Sequence, residues 1–390
     1  MAATKTGVMR LAKRLDEVGF SDIVQIRNKV MDLRAAGQKV FAFHGGEPFF
    51  DTPDVVKQGL FAATAENKTR YAPSSGIDPL RKALAEKLRL KNGMQVTHDD
   101  VIVTVGGAQA LYAAFQTVLD PGSDVLLFSP YWTPIRDMIT GAEARPLFVS
   151  TAGARRNGIT QTLEQLTTPN TRAIYYNTPQ NPSGLLFSRA EAEEVAAFAI
   201  KHDLVVIADE AYEDLVYEGE HVSIASLPGM AERTISTFTF SKSYAMTGWR
   251  VGYAVAREPF MTGLKKMVLY GTNGVPTMLQ WAALEALSLR EPYFEAQRME
   301  YRKRRDVLVA GLNSLGLHCE LPAGAFYAFP DVTKISKDSR KAAGVLLERA
   351  HVATIPGVVF GQQGEGHVRF GYSTTLETIE EGLESLRKVL

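Results

Sequence analysis

The sequence contains a single cysteine, Cys319, among 390 residues. One cysteine cannot form an internal disulfide, so we expect a reducing compartment and a cytoplasmic protein. No Cys/His cluster has the spacing of a zinc site, and no structural metal is expected. Lys+Arg and Asp+Glu are equal at 43 each, which leaves no surplus charge to attract nucleic acid or an anionic membrane. No uninterrupted apolar run approaches the length needed to span a bilayer.

The N-terminal segment is locally basic. It carries Lys5, Arg10, Lys13 and Arg14 before its first acid at Asp16. Such a segment is typical of an organellar presequence or of an arm that lies over the protein surface, and we favour the arm. The rest of the composition, 45% hydrophobic and 22% charged residues, is typical of a globular protein.

The pattern of apolar residues predicts two structural units. From about residue 39 to residue 255, short apolar runs alternate with longer amphipathic ones, which indicates a three-layer α/β large domain with a mainly parallel sheet. After residue 259 the pattern is mainly helical, and residues 19–44 have a helix-then-strand pattern. We predict an N-terminal arm and part of a small domain over 1–46, the large domain over 47–285, and the rest of a smaller α+β domain over 286–390. The predicted elements of the large domain are strands at 101–105, 125–129, 173–177, 204–209, 234–240 and 251–256, and helices at 78–90, 109–119 and 189–202.

Lys242 lies among hydroxyl residues. Thr239, Ser241 and Ser243 surround it, and Arg250 follows eight positions later. Hydroxyls and an arginine suit a phosphate, while a lysine amine can bond a carbonyl carbon of the same molecule. A lysine with a chemical role is usually an imine or has a lowered pKa, because the protonated amine is a poor nucleophile. Pyridoxal phosphate has both an aldehyde and a phosphate; the alternative is an exposed Ser/Lys loop.

Other candidate residues follow predicted strands, and the carboxyl ends of parallel strands converge on one site. Gly106 and Gly107 lie between a strand and a helix, where free amides suit a phosphate; a plain strand-to-helix turn is the alternative. Asp209 closes an apolar strand, and Tyr212 lies three residues beyond it. A buried carboxylate needs a cation such as a protonated pyridine nitrogen, or else caps a helix N-terminus.

Three further segments offer binding groups. Residues 177–184 form a turn-rich stretch after an apolar strand, and its prolines can hold an amide side chain in a fixed direction. Tyr131 and Trp132 present an aromatic face to a planar ring or pack in the core. Arg369 lies among apolar residues with no acid nearby in sequence, so either a substrate carboxylate or an internal ion pair would balance its charge.

Together these residues resemble the fold-type I, class I aminotransferases, which are pyridoxal-phosphate enzymes, and most of all the bacterial aspartate aminotransferase branch. The resemblance covers nearly the whole chain and implies transfer of an amino group from an L-amino acid to a 2-oxo acid. It also implies a ping-pong mechanism through a Lys242 aldimine and pyridoxamine phosphate. The matching segments are residues 45–48, 51–53, 71–73, 76, 106–107, 131–132, 181–184, 209–212, 241–242, 250–253, 324–327 and 369.

The resemblance implies a role for each matching residue. Lys242 would carry the cofactor and then act as the base and acid that moves a proton at the substrate Cα. Asp209 would keep the pyridine nitrogen protonated, which makes the ring an electron sink. The other implied cofactor contacts are stacking by Trp132, hydrogen bonds to the ring oxygen from Asn181 and Tyr212, and phosphate contacts from Gly107, Ala108, Thr239, Ser241, Arg250 and, across a homodimer interface, Tyr71.

The resemblance also implies a substrate site, in which Arg369 binds the α-carboxylate with help from Asn181, Trp132 and the backbone of Gly46. Two departures concern the substrate side chain. Ala108 stands where relatives that bind a side-chain carboxylate have a lysine, and residues 267–273, where other branches bring an arginine from the partner subunit, contain no cation. Because a buried dicarboxylate needs cationic partners, we expect neutral, aromatic or broad donor use rather than strict aspartate use.

Two other functions stay open as alternatives. A lyase on the same fold, of the carbon–sulfur or aminocyclopropane-forming type, would share every cofactor residue. A regulator that senses pyridoxal phosphate would need an added DNA-binding domain, whereas here the fold is expected to begin within the first forty residues, without a basic surplus.

Overall fold

The computed structural model describes residues 10–20 and 22–390. Its strands are β1 (Phe41–Ala42), β2 (Val101–Thr104), β3 (Asp124–Ser129), β4 (Arg145–Ser150), β5 (Thr171–Asn177), β6 (Val205–Asp209), β7 (Thr234–Thr239), β8 (Gly252–Val255), β9 (Tyr327–Ala328), β10 (Val352–Ala353), β11 (Ile355–Pro356) and β12 (Val368–Gly371). Its α-helices are α1 (Asp22–Ala35), α2 (Asp54–Ala65), α3 (Asp78–Lys91), α4 (Gly106–Val118), α5 (Pro134–Gly141), α6 (Thr151–Asn157), α7 (Ile159–Leu166), α8 (Arg189–Lys201), α9 (Phe240–Ser243), α10 (Phe260–Thr272), α11 (Thr277–Ala286), α12 (Glu291–Ser314), α13 (Ser339–Ala350) and α14 (Leu376–Arg387).

A seven-stranded sheet in the order β2-β8-β7-β6-β5-β3-β4 forms the centre of the chain. The pairs from β7 through β6, β5 and β3 to β4 are parallel, whereas β8 is antiparallel to both of its neighbours. Most of its strands are buried on both faces, as expected when helices cover the two sides of a parallel sheet. The predicted α/β fold with a mainly parallel sheet is confirmed.

Helices pack on both faces of this sheet, so that alternate residues of one strand belong to different cores. On one face, Tyr175 of β5 joins a cluster with Phe115 of α4 and residues of α5 and α10. On the other face, the next residue, Tyr176, packs with Phe187 and with residues of α6, α7 and α8. Helix α8 begins with a capping box, in which Ser188 Oγ accepts from the Glu191 amide and the Glu191 carboxylate accepts from the Ser188 amide.

Segments from both ends of the chain meet in a smaller α+β region. Strand β1 pairs in parallel with β10, and β9, β12 and β11 form an antiparallel three-stranded sheet. Helices α12, α13 and α14 contribute to the buried cluster beneath it. The domain boundaries at residues 46 and 285 stay predictions, and so does the choice between presequence and surface arm, because part of that segment lies outside the described residues. Within the described ranges, the helices lack the combination of length and apolar character that crossing a bilayer requires.

Three differences between the structure and the sequence predictions have a local cause in the sequence. Helix α4 begins at Gly106, not at residue 109, because Gly106 at φ +70° lets the chain turn directly from β2 into the helix. Strand β4 was not predicted; it lies at the sheet edge, where a strand tolerates Pro146. Residues 277–314, which belong to the mainly helical pattern after residue 259, form two separate helices, α11 and α12, and Pro292 lies in the first turn of the second.

Candidate functional site

A cavity of about 410 Å3 lies at the carboxyl ends of the parallel strands. The ends of β5, β6 and β7 contribute Asn177, Asp209 and Thr239 to its wall, as expected for an open α/β sheet. All of the site residues predicted from the sequence line this cavity except Tyr71, namely Gly46, Gly107, Ala108, Trp132, Asn181, Asp209, Tyr212, Thr239, Ser241, Lys242, Arg250 and Arg369. Tyr71 is 94% exposed and lies elsewhere on the surface of the chain.

Lys242 lies in α9, the four-residue helix that directly follows β7. Thr239 caps this helix, because its hydroxyl accepts a hydrogen bond from the Ser241 amide at 3.1 Å. The Lys242 ammonium donates to the carbonyl of Gly46 at 2.6 Å. Burial, with the positive charge of nearby Arg369, lowers the pKa of Lys242 to about 8. A larger fraction of the amine is therefore neutral near pH 7 than for an ordinary lysine, as a nucleophile requires, and the exposed-loop alternative is wrong.

Asp209 is the last residue of β6 and is 6% exposed. Its Oδ2 accepts a hydrogen bond from the Tyr175 hydroxyl at 2.7 Å, and its Oδ1 accepts one from the Ala211 amide at 3.2 Å. Burial raises the pKa of Asp209 to about 6, although the Tyr175 hydrogen bond acts in the opposite direction. The helix-cap alternative is wrong, because residues 211–214 form a turn and not a helix. The carboxylate remains in need of a cationic partner.

The N-terminus of α4 meets basic and hydroxyl groups that suit an anion. Its cap residue, Val105, offers no side-chain hydrogen bond to the first amides of the helix. Arg250 lies directly against this turn: a Cβ on Gly106 would stand 2.6 Å from Arg250 Nη2. On the neighbouring strand end, the Thr239 hydroxyl donates to Ser241 Oγ at 2.9 Å. Free amides, two hydroxyls and a guanidinium together have the chemistry that suits a phosphate.

Arg369 of β12 is buried, and none of the described residues supplies it with an acidic partner. Its Nη1 donates to Asn181 Oδ1 and its Nη2 to the carbonyl of His44, both at 3.0 Å, while its buried Nε has no partner among the described residues. Its guanidinium lies over the Tyr327 ring, 4.4 Å from the centroid. Within residues 10–20 and 22–390, no acidic side chain forms an ion pair with this arginine. The internal ion pair considered from the sequence is therefore wrong. A buried cation of this kind needs an anionic ligand.

The aromatic residues of the site divide into two groups. Trp132 lines the cavity, whereas Tyr131 is buried and stacks on Phe148 at 5.6 Å between ring centroids. Tyr131 therefore packs in the core, and stacking of Trp132 on a planar ring stays a prediction. Tyr212 and Tyr327 share a hydrogen bond of 2.9 Å between their hydroxyls. Tyr327 also lines the cavity, although sequence reasoning gave it no role. Its position in segment 324–327, which matches the aminotransferases, was the feature of the sequence that could have identified it.

Comparison with known proteins decides what this cavity belongs to. The family model for aminotransferases of class I and II matches residues 38–386. The chain belongs to this aminotransferase family. It is 40% identical over 388 residues to the aspartate/prephenate aminotransferase of Thermus thermophilus, with 97% of this chain and 98% of that protein covered. It is 37% identical to aromatic-amino-acid aminotransferase 2 of Thermococcus litoralis, with 98% of each chain covered. The solved structure of the Thermus thermophilus aspartate aminotransferase with maleate has a TM-score of 0.94 at 39% identity, over 98% of this chain and 100% of that one.

The protein is therefore a pyridoxal-phosphate-dependent aminotransferase, and its substrates are amino acids and 2-oxo acids. The cavity fits this cofactor. The uncapped amides of α4 with Arg250 suit the phosphate, buried Asp209 suits a protonated ring nitrogen, and Lys242 has the lowered pKa that attachment to an aldehyde requires. The lyase alternative is not favoured, because the relatives are named as aminotransferases.

The Asp209 carboxylate should destabilise the aminotransferase when the cofactor has been removed. Its pKa rises from 3.8 to about 6 on folding, so the folded apoprotein binds more protons than the unfolded chain between these pH values. The free energy of unfolding then falls as pH rises from about 4 to 6, by up to about 3 kcal/mol. We expect the free energy of unfolding of the Asp209→Asn apoprotein to exceed that of the parent apoprotein by about 1–3 kcal/mol above pH 7. Near pH 4 the two free energies should be equal.

Urea unfolding of both apoproteins between pH 4 and pH 8 measures this difference. Asp120→Asn, at an exposed position after α4, serves as the control and should leave the pH profile unchanged. A constant difference between parent and Asp209→Asn at every pH would contradict the raised pKa.

Proposed function

We propose that this aminotransferase works by a ping-pong mechanism, in which Lys242 moves the proton at the substrate Cα and Arg369 holds the substrate α-carboxylate. The observation that carries the proposal is that one cavity brings together an amine of lowered pKa, a buried carboxylate and a buried guanidinium that has no acidic partner in the described part of the chain. When bound, pyridoxal phosphate supplies an electron sink for negative charge at the substrate Cα and carries the amino group between half-reactions.

The proposed roles follow from the chemistry of each side chain. With a pKa of about 8, Lys242 exchanges readily between its acid and base forms near neutral pH. The fork of Arg369 can bind a carboxylate through two N–H groups and so fixes the orientation of the Cα–H bond. Asn181 and the backbone of Gly46 contact these two residues and support the same site. The remaining cofactor contacts that we propose are Gly107, Ala108, Thr239, Ser241 and Arg250 at the phosphate, Asp209 at the ring nitrogen, Asn181 and Tyr212 at the ring oxygen, and Trp132 at the ring face.

We propose that neutral and aromatic amino acids are preferred donors over aspartate. The cations that line the described cavity are Lys242, Arg250 and Arg369, and each has a proposed role with the cofactor or the α-carboxylate. Ala108 lines the cavity without charge, and Glu47 adds a carboxylate to its wall. A second substrate carboxylate would therefore be buried without its own cation. The names of the relatives, which include aspartate/prephenate and aromatic-amino-acid aminotransferases, support a broad range.

A half-reaction screen tests the reaction and the donor range together. The holoenzyme is mixed with one amino acid at a time, without an oxo acid, and the visible cofactor band and the released product are measured. We expect conversion of the cofactor to its aminated form with release of the 2-oxo acid, faster for phenylalanine and leucine than for aspartate. Release of ammonia or a thiol would contradict transamination, and aspartate as the best donor by a wide margin would contradict the donor preference alone.

Ala108→Lys should shift the preference toward aspartate. A lysine at the N-terminal turn of α4 would place an ammonium in the cavity wall, and close charge pairs contribute about 1.5–7 kcal/mol. We expect kcat/KM for aspartate relative to phenylalanine to rise by at least about 10-fold. Ala108→Met is the matched control, because it adds a side chain of similar length without charge and should not raise the ratio. An equal ratio in the two variants would count against a missing cation as the cause.

We also propose a homodimer in which Tyr71 reaches the phosphate site of the partner subunit. Large side chains with apolar rings are exposed on the single chain, including Tyr71 at 94%, Phe61 at 71% and Tyr270 at 84%, and they are available to an interface between two copies. Sedimentation of the holoenzyme measures the assembly. A location in the cytoplasm stays a prediction.

A further inference from the structure

Two adjacent tyrosines on β5 differ in what their hydroxyls contact. Tyr175 is 1% exposed and Tyr176 is 0% exposed. They point to opposite faces of the central sheet, because successive strand residues alternate. The Tyr175 hydroxyl donates to Asp209 Oδ2 at 2.7 Å. The Tyr176 hydroxyl has no hydrogen-bond partner among the described residues.

The register of the sheet makes the contact of Tyr175 possible. Asn177 at the end of β5 pairs with Asp209 at the end of β6, and Tyr175 pairs with Ile207. Tyr175 and Asp209 therefore lie diagonally on one face of neighbouring strands, where a tyrosine is long enough to reach. Tyr175 does not line the cavity; it contacts the carboxylate from inside the core.

We propose that Tyr175 is a positioning residue for the cofactor: its hydroxyl keeps the Asp209 carboxylate ionised and directed toward the cavity, where it holds the protonated ring nitrogen. This inference rests on the role of Asp209 in the proposed function. A hydrogen bond to the ionised form of a buried acid favours that form, and a protonated Asp209 would give the ring nitrogen no negative partner.

The other charged or titratable groups near Asp209 do not supply the hydrogen bond that Tyr175 donates to its carboxylate in the described structure. Lys242 lies on α9, Glu210 follows Asp209 in the chain, and Tyr212 lies beyond the turn. Of these, the positive charge of Lys242 favours ionisation of Asp209, whereas the negative charge of Glu210 opposes it. Tyr175 is the side chain that donates a hydrogen bond to the carboxylate in the described structure. Without that bond, the Ala211 amide would be the remaining hydrogen-bond donor to the carboxylate. Burial would then raise the pKa of Asp209 further.

Tyr175→Phe removes this hydroxyl and keeps the ring, and Tyr176→Phe is the matched control one residue away. The affinity of each apoprotein for pyridoxal phosphate is measured by spectroscopic titration between pH 5.5 and pH 8.5, with thermal unfolding as a check on folding. We expect Tyr175→Phe to bind the cofactor about 10- to 100-fold more weakly near pH 7, the loss expected for a hydrogen bond to a charged group. The loss of affinity on acidification should also begin at a higher pH in this variant, because Asp209 protonates more readily. Tyr176→Phe should bind within about two-fold of the parent protein, since it loses an unpaired hydroxyl.

Asp209→Asn separates the failure of this inference from the failure of the proposed function. If Asp209→Asn weakens cofactor binding and Tyr175→Phe does not, the role of Tyr175 is refuted while that of Asp209 stands. If Asp209→Asn leaves binding unchanged, the proposed role of Asp209 fails, and the inference fails with it. The double variant completes the test: when Tyr175 acts through Asp209, it binds no more weakly than Asp209→Asn alone. A full additional loss in the double variant would show that Tyr175 acts by another route.

Discussion

Lys242→Ala is expected to remove both the borohydride-reducible attachment of the cofactor and the turnover of the enzyme, with kcat lowered by at least about 10^4-fold. Positioned acid–base groups alone contribute about 10^2- to 10^4-fold, and this lysine is proposed to supply the covalent attachment as well. The remaining cations of the described cavity are Arg250 and Arg369. A guanidinium stays protonated in proteins and cannot replace an amine in either task.

Two controls separate the chemistry of Lys242 from its charge and from general effects on the protein. Lys242→Arg keeps a positive charge at the same place, so it should retain the cofactor without covalent attachment and remain as inactive as the alanine variant. Lys303→Ala, at an exposed position of α12, should behave as the parent protein. Borohydride reduction followed by mass analysis measures the attachment, and the half-reaction measures the chemistry. Attachment or turnover retained in Lys242→Ala would refute the assignment.

The sequence predicted the cavity wall well, because the residues that close parallel strands must meet at one edge of the sheet. Asp209 was identifiable for this reason, at the end of an apolar run, whereas Thr239 was identified as a hydroxyl residue close to Lys242 in the sequence. Gly107 was identifiable as a glycine between a strand and a helix. The order of the strands was not needed for this prediction, since neighbours in any parallel order share the same edge.

The sequence could not predict contacts that depend on register or on the second unit. Tyr175 lies inside an apolar run, so its pattern is that of an ordinary core residue, and its bond to Asp209 appears only when β5 and β6 are aligned. Tyr327 comes from the smaller α+β region and reaches the Tyr212 hydroxyl across a separation of 115 residues. Strand β4 was missed because Pro146 weakens the strand pattern, and only its edge position makes that proline acceptable.

Arg369 shows how the structure narrows a choice that the sequence left open. From the sequence, an internal ion pair and a substrate carboxylate were both reasonable partners for a buried arginine. The described structure gives the guanidinium two neutral acceptors, Asn181 Oδ1 and the His44 carbonyl, and leaves its Nε unpaired. A buried charge held only by neutral dipoles is costly. The substrate carboxylate is then the partner that would balance it.

Variants of Arg369 should lose the contact with the substrate carboxylate and therefore fail mainly in substrate binding. Removing one member of a buried, hydrogen-bonded charge pair costs about 2–5 kcal/mol, which is about 30- to 5,000-fold in kcat/KM. We expect the loss of kcat/KM in Arg369→Met to lie near the upper end of this range. Arg369→Lys keeps the charge and loses the two-pronged contact, so it should lie near the lower end. Most of either loss should appear in KM, with a smaller fall in kcat from poorer alignment of the Cα–H bond.

Arg305 provides the matched control for a buried arginine. Arg305 and Arg369 are each 2% exposed, but Arg305 contacts Glu218 and Asp306 and does not line the cavity. Arg305→Lys should therefore lower the free energy of unfolding and leave KM unchanged. A second comparison uses 1-phenylethylamine beside phenylalanine as the amino donor, because the amine has no carboxylate for Arg369 to bind. If Arg369 acts on the carboxylate, its variants lose activity with phenylalanine and not with the amine; an equal loss with both donors would mean that Arg369 supports the shape of the cavity instead.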